Sequence, residues 1–292
     1  ENIYGADHPT IAVRLNNLAG LLRVTNRLVE AETLYRRALA LDEINYGAEH
    51  SKVAIRINNL AGVLGDTNRP AEAEMMLRRA LAINEKNYGK GHPHVAVNLN
   101  NLAMLLQVMG RQGEAEILFR RALSINERCY GAEHPDVGNC LNNLAQLLQA
   151  TNRLIEAEPM FRRALHIFEK SYGLEHPHVA TGLNNLAELL RITNRLAEAE
   201  SMFQRALRIL EKSYGPQHPQ VATGLNNIAL LLKVSEREAE AEPMYRRALA
   251  IDEQSIGLDH PNAAIRLNNL ALLLKASNRL TEAKPLMRSH LV

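Results

Sequence analysis

Tryptophan is absent from the 292 residues, and phenylalanine (4) and tyrosine (8) are scarce. An excess of one charge is absent as well. The chain carries 34 Lys plus Arg against 32 Asp plus Glu, with no basic run, which argues against nucleic acid as a partner. No stretch of 18 apolar residues occurs, so no membrane-spanning helix and no membrane partner are expected. No signal-peptide pattern opens the chain, which starts at Glu1. A phosphate-binding loop, a nucleophile elbow, a metal-protease helix and a CxxC pair are all missing. The expectation is therefore a chain that is not an enzyme by itself and needs no cofactor. The only two cysteines, Cys129 and Cys140, read as reduced and structural, which makes cytoplasmic residence the default.

What the chain does have is Ala and Leu in abundance, with Gly and Pro at fixed places, the composition of an all-α protein. It also has a period. Asn pairs fall at 16–17, 58–59, 100–101, 142–143, 184–185, 226–227 and 268–269, each step being 42 residues. His8, His50, His92, His134, His176, His218 and His260 keep the same step, followed by Pro everywhere except at Ser51. Gly5, Gly47, Gly89, Gly131, Gly173, Gly215 and Gly257 keep it too. Such periods announce repeat architectures. A single array is expected over 8–292, in repeats 8–49, 50–91, 92–133, 134–175, 176–217, 218–259 and 260–292, with residues 1–7 the tail of a preceding, truncated repeat.

Each repeat holds two helices, A and B, giving fourteen in all. In repeat 1, Pro9 suits a first helical turn, and Ile11, Leu15, Leu18, Ala19 and Leu22 follow at helical spacing. Leu15, Leu18 and Leu22 are expected to be the buried stripe. Asn26 is expected to end helix A in the left-handed conformation, with Gly110 in its place in repeat 3 and the irregular Glu236 in repeat 6. Helix B starts near Leu28, buries Leu28, Ala31, Leu34, Tyr35, Ala38, Leu39 and Leu41, and stops at Gly47 as a C′ glycine. Pro159, Pro243 and Pro285 share one register of helix B. They are expected within about its first turn, leaving the helices intact.

These residues resemble the tetratricopeptide repeat. Leu15, Leu18, Ala19 and Leu22 match the family's helix-A signature, and Ala31, Tyr35 and Ala38 its helix-B signature. The long repeat, with "NNLA", "EAE", "RRAL" and "YG.EHP", looks most like those of kinesin light chains and their bacterial relatives. Glu43 stands where the family's closing Pro would be, so helix B runs on. The resemblance implies a right-handed α-solenoid superhelix of seven helix-turn-helix units. Helix A would line its concave side, where the family holds peptides or partner segments.

On the helical wheel the Asn pair lies opposite the buried stripe, on the face that the resemblance makes concave. A carboxamide has donors and an acceptor that suit the alternating N–H and C=O groups of an extended chain. With helices about 8–10 Å apart and a strand rising about 3.3 Å per residue, each repeat serves about three peptide residues. Asn17, Asn59, Asn101, Asn143, Asn185, Asn227 and Asn269 match an asparagine ladder that some family members use to hold a ligand backbone. The same side chains also suit bonds between neighbouring helices. Specificity would come from varied positions, above all Arg23, Gly65, Gln107, Gln149, Arg191, Lys233 and Lys275. Basic residues at both ends, apolar patches, Asp66 and Glu188 suggest a protein or peptide ligand with acidic and apolar residues. Cations in a last helical turn also offset the helix dipole without any ligand.

The seven histidines stand one repeat apart, too far to share a metal ion, and are expected to shape the start of helix A. Arg36–Arg37 and its equivalents follow Glu32 and its equivalents at i,i+4 and read as a solvated face. The last repeat departs from pattern, with Lys284 for Glu32, Ser289 for the second Arg and His290 for Ala38, as a terminal cap would. The favoured function is a scaffold that binds a peptide or extended partner segment in its concave groove. A sensor or oligomerisation arm of a larger signalling protein, such as a nucleotide-binding switch protein, is the alternative, with self-association as its signature. An inert scaffold is a third reading.

Overall fold

A computed structural model describes residues 8–258 and 260–288, and among them all regular structure is helical. The chain divides into two compact halves, the first ending at Thr151 and the second starting at Asn152. The first holds α1 (Pro9–Val24), α2 (Leu28–Tyr46), α3 (Ser51–Asp66), α4 (Pro70–Tyr88), α5 (Pro93–Val108), α6 (Gln112–Tyr130) and α7 (Pro135–Ala150). The second holds α8 (Leu154–Tyr172), α9 (Pro177–Ile192), α10 (Leu196–Tyr214), α11 (Pro219–Val234), α12 (Glu238–Ser255), α13 (Pro261–Ala276) and α14 (Leu280–Arg288). Odd-numbered helices are A helices and even-numbered ones B helices. No helix among the described residues is long and apolar enough to cross a membrane. The expectations for residues 1–7, Ser289 and His290 lie outside the described residues.

Helix starts and stops follow from a few residues. Each histidine of the period is the N-cap of an A helix. Its Nδ1 accepts the backbone N–H two residues on at 3.2 Å, as from Thr10, Lys52, His94, Asp136, His178, Gln220 and Asn262. Five of these rings also stack on the tyrosine that ends the preceding B helix. Tyr46–His50, Tyr88–His92, Tyr130–His134, Tyr172–His176 and Tyr214–His218 have centroids 4.3 to 5.1 Å apart. Asn26, Asn68, Asn152, Asn194 and Asn278 end their A helices at φ of 58 to 60°, and Glu236 takes the same conformation at 59°. Gly47 terminates α2 as expected, but at φ 86° and ψ 151°, a region open to glycine rather than the left-handed helical one.

Within each half, A packs on its own B and each B packs on the next A, and successive A helices also touch. Leu60, Leu102, Leu144 and Leu186 are fully buried in this packing, whereas their equivalent Leu18 is 48% exposed. Leu18 departs from the expected stripe because no described helix precedes α1 to cover it. Pro159 and Pro243 also depart from expectation. Each is the sixth residue of its helix, one turn further in than the sequence suggested. The helices continue because both prolines are exposed and the carbonyl left without a donor, that of Ile155 for Pro159, belongs to an exposed residue.

The arginine pairs are more than a solvated face. Arg69 and Arg111, at the N-caps of α4 and α6, bind the glutamate three residues on and also reach back one repeat, to Glu32 and Glu74. Arg195, Arg237 and Arg279 do the same, with Glu158, Glu200 and Glu242. The second arginine of the pair ties helix B to the repeat before it. Arg79 donates to Glu43 Oε1 at 2.7 Å and to the Ala48 carbonyl, and Arg121, Arg205 and Arg247 repeat the pattern.

A second register locks B helices to the next A helix, and its chemistry varies along the chain. Arg56 Nε donates to Asp42 Oδ2 at 2.8 Å between α2 and α3. Asn84 donates to Asn98 Oδ1 at 2.6 Å between α4 and α5. Asn126 donates to Cys140 Sγ at 3.3 Å between α6 and α7. Phe168 then faces Gly182, where a Cβ would stand 3.3 Å from the ring, and Leu210 faces Gly224 at 3.6 Å. Between α12 and α13, Arg266 pairs with Asp252 and also donates to Thr223 Oγ1 at 2.7 Å. Charge meets charge, amide meets amide, and bulk meets glycine, although Asn84 Oδ1 and Asp252 Oδ1 stay buried without a hydrogen-bond partner.

Candidate functional site

The A helices leave one face open in each half. On it Val13, Ile55, Val97 and Ile265 are exposed, an unusual place for β-branched side chains, and Asn139 and Thr181 occupy the same register. Met104 and Leu272 add exposed apolar surface about two turns further along.

The Asn pairs run across this face and bond to one another. Asn59 Nδ2 donates to Asn16 Oδ1 at 2.7 Å, and Asn101 Nδ2 to Asn58 Oδ1 at 3.3 Å. Asn143 donates to Asn100 and Asn269 to Asn226, both at 2.9 Å. The second asparagine of one repeat thus grips the first asparagine of the repeat before it. Asn185 and Asn227 are half-buried on the same face, Asn17 is exposed, and Asn184 Oδ1 is buried without a partner. In the bonded pairs that bond engages one N–H of the second asparagine, and its other N–H and its carbonyl oxygen stand outside it.

The varied register is less basic than the sequence suggested. Arg23 Nε donates to Asp66 at 2.5 Å, and its guanidinium lies over Gly62, where a Cβ would come within 2.7 Å. Arg191 is clamped by Glu188 through bonds of 2.6 and 2.8 Å, and the Glu188 carboxylate raises its pKa. Both arginines therefore spend their charge within the chain. Lys233 is half-buried and Lys275 exposed, while Gln107 and Gln149 are half-buried neutral donors and acceptors. What the face offers is a row of oriented carboxamides between apolar side chains, with little net charge.

Sequence spacing alone did not reveal the cross-repeat bonds, since the partners stand 43 residues apart. The complementary pairs at a spacing of 14 (Asp42 with Arg56, Asn84 with Asn98) were there to be read.

Comparison with known proteins agrees with this architecture. The family profile described as tetratricopeptide repeat matches residues 10–86, 52–128, 94–170, 143–212, 178–254 and 220–291. A search of curated proteins finds no match. Among solved structures, BtubC (BKLC) from P. vanneervenii is 25% identical, with 83% of this chain and 94% of that one covered and a TM-score of 0.62. Kinesin light chain-like, nearly identical TPR-like repeats from Podosopora anserina are 23% identical, covering 71% of this chain and 98% of that one at a TM-score of 0.59. Aspartyl phosphate phosphatase F from Bacillus subtilis shares the fold at 12% identity, covering 94% and 68% with a TM-score of 0.69.

Proposed function

The chain belongs to the tetratricopeptide repeat family, and from that premise we propose that it is a protein-interaction scaffold whose A-helix face holds an extended segment of a partner. The observation that carries this reading is the row of carboxamides bonded from repeat to repeat. Because Asn59, Asn101, Asn143 and Asn269 are already held by the repeat before them, a ligand backbone that pairs with their remaining N–H and C=O groups does not meet the entropy of freezing those side chains. The flanking Val, Ile, Met and Leu side chains supply apolar contact without reading a sequence. With Arg23 and Arg191 internally paired, the acidic preference rests on Lys233 and Lys275 and is secondary to the apolar one. On this reading the chain acts by binding alone.

Peptides selected from a random library on the intact chain test the reading. Asn101→Ala with Asn143→Ala removes two backbone contacts, and at about 1 kcal/mol each affinity falls about tenfold or more, with helical content unchanged. Peptides that bind the double variant as tightly as the parent would leave the asparagines a purely structural role.

A further inference from the structure

Between α5, α6 and α7 lies a cavity of about 340 Å³ whose walls include Val97, Asn126, Tyr130, Asp136, Asn139 and Cys140. Its position in the repeat is informative. Val97, Asn126 and Cys140 stand in the registers of Thr223, Asp252 and Arg266. At that later junction the Arg266 side chain fills the corresponding space, pairing with Asp252 and donating to Thr223 at 2.7 Å. Arg56 occupies the same register at the α2–α3 junction, where Lys52 in addition lies 4.1 Å above the Tyr46 ring. At the α6–α7 junction the equivalents of Lys52 and Arg56 are Asp136 and Cys140. Two cations are replaced by an acid and a short thiol, while the aromatic ring persists as Tyr130 and a buried oxygen acceptor as Asn126.

Resting on the reading of the A-helix face as a peptide site, we propose that this cavity takes an arginine side chain from the bound segment. The guanidinium enters from the face beside Val97 and Asn139 and occupies the space that Arg266 fills at its own junction. Asn126 supplies a carbonyl oxygen below it, Asp136 the countercharge at the mouth, and Tyr130 a ring face for the cation. The thiol of Cys140, pushed up to about 11 by burial, stays neutral and offers no competing charge.

The test is a titration of the intact chain with N-acetyl-arginine amide, followed by backbone and side-chain amide NMR. Saturable shifts at Val97, Asn126 and Asn139 are expected, with a Kd on the order of 1 mM for so small a probe. N-acetyl-citrulline amide, of the same shape without the charge, should bind at least about threefold more weakly. Asp136→Lys, at an exposed position, should abolish the shifts. Asn126→Asp with Cys140→Arg, which copies the pair of the α12–α13 junction, should fill the cavity from within and abolish them too. Absence of saturable shifts, equal binding of the citrulline probe, or undiminished binding to Asp136→Lys would overturn the proposal. Library peptides that bind through Asn101 and Asn143 but carry no arginine at a fixed position would sink the cavity while sparing the peptide site. Probe binding with no peptide capture would do the reverse.

Discussion

Replacing Asp42 with alanine puts the packing argument at most risk. Asp42 is 1% exposed and Arg56 8%, and the 2.8 Å bond between them joins α2 to α3. Deleting the carboxylate leaves a guanidinium buried with its charge uncompensated, which costs about 3–5 kcal/mol, far more than the net worth of the pair. The structure supplies its own rescue, since the α4–α5 junction carries Asn84 and Asn98 in the same two positions. Asp42→Asn combined with Arg56→Asn should therefore return to within about 1 kcal/mol of the parent. Repeats need not unfold together, so the measurement of choice is amide hydrogen exchange in α2 and α3, supported by urea titration of the whole chain. A single variant costing less than about 1 kcal/mol, or a double variant as unstable as the single one, would refute the reasoning.

Two further outcomes follow from the caps and the ion ladder. His218→Ala removes the acceptor for the Gln220 N–H and the ring that stacks on Tyr214, and should lower stability by about 1 kcal/mol in thermal unfolding, with His218→Asn retaining most of it. Arg195, and with it Arg162, holds the Glu158 carboxyl below the usual carboxylate range, and Arg279 with Arg246 does the same for Glu242. A folded-state value below the unfolded one means stability that is fully present above about pH 4.3 and is lost as pH falls through the depressed values. Arg195→Gln should accordingly lose less melting temperature than the parent between about pH 5 and about pH 3, and an unchanged acid limb would contradict the assignment.

The fold was legible because its determinants recur at one step. Histidine, proline, glycine and asparagine each mark a helix boundary for a local reason, and local reasons can be read without coordinates. Pro159 was misplaced although its helix starts at Leu154, in the register of Leu28 as expected, because an exposed carbonyl such as that of Ile155 lets a proline stand one turn further in than a missing N–H alone allows. The exposed Leu18 shows the limit of a periodic argument, since burial depends on a neighbour that α1 does not have among the described residues. The site was legible as a face and illegible as a network. A helical wheel puts Asn16 and Asn17 on one side of α1, but only adjacent A helices show that Asn59 reaches Asn16. In the same way the wheel offers Arg23 and Arg191 as free cations, and only the structure reveals Asp66 and Glu188 beside them.

The changing locks between B and A helices have a genetic consequence. Sequences this repetitive invite unequal recombination, which would excise whole 42-residue blocks without shifting the reading frame. Fusing the second helix of repeat 1 to the first helix of repeat 4 would strand Asp42 against Cys140, and fusing it to that of repeat 5 would set it against Gly182. Only a splice onto repeat 2 or repeat 7 meets an arginine, Arg56 or Arg266. Copy number in this array is thus guarded by the mismatch of buried side chains at every wrong splice.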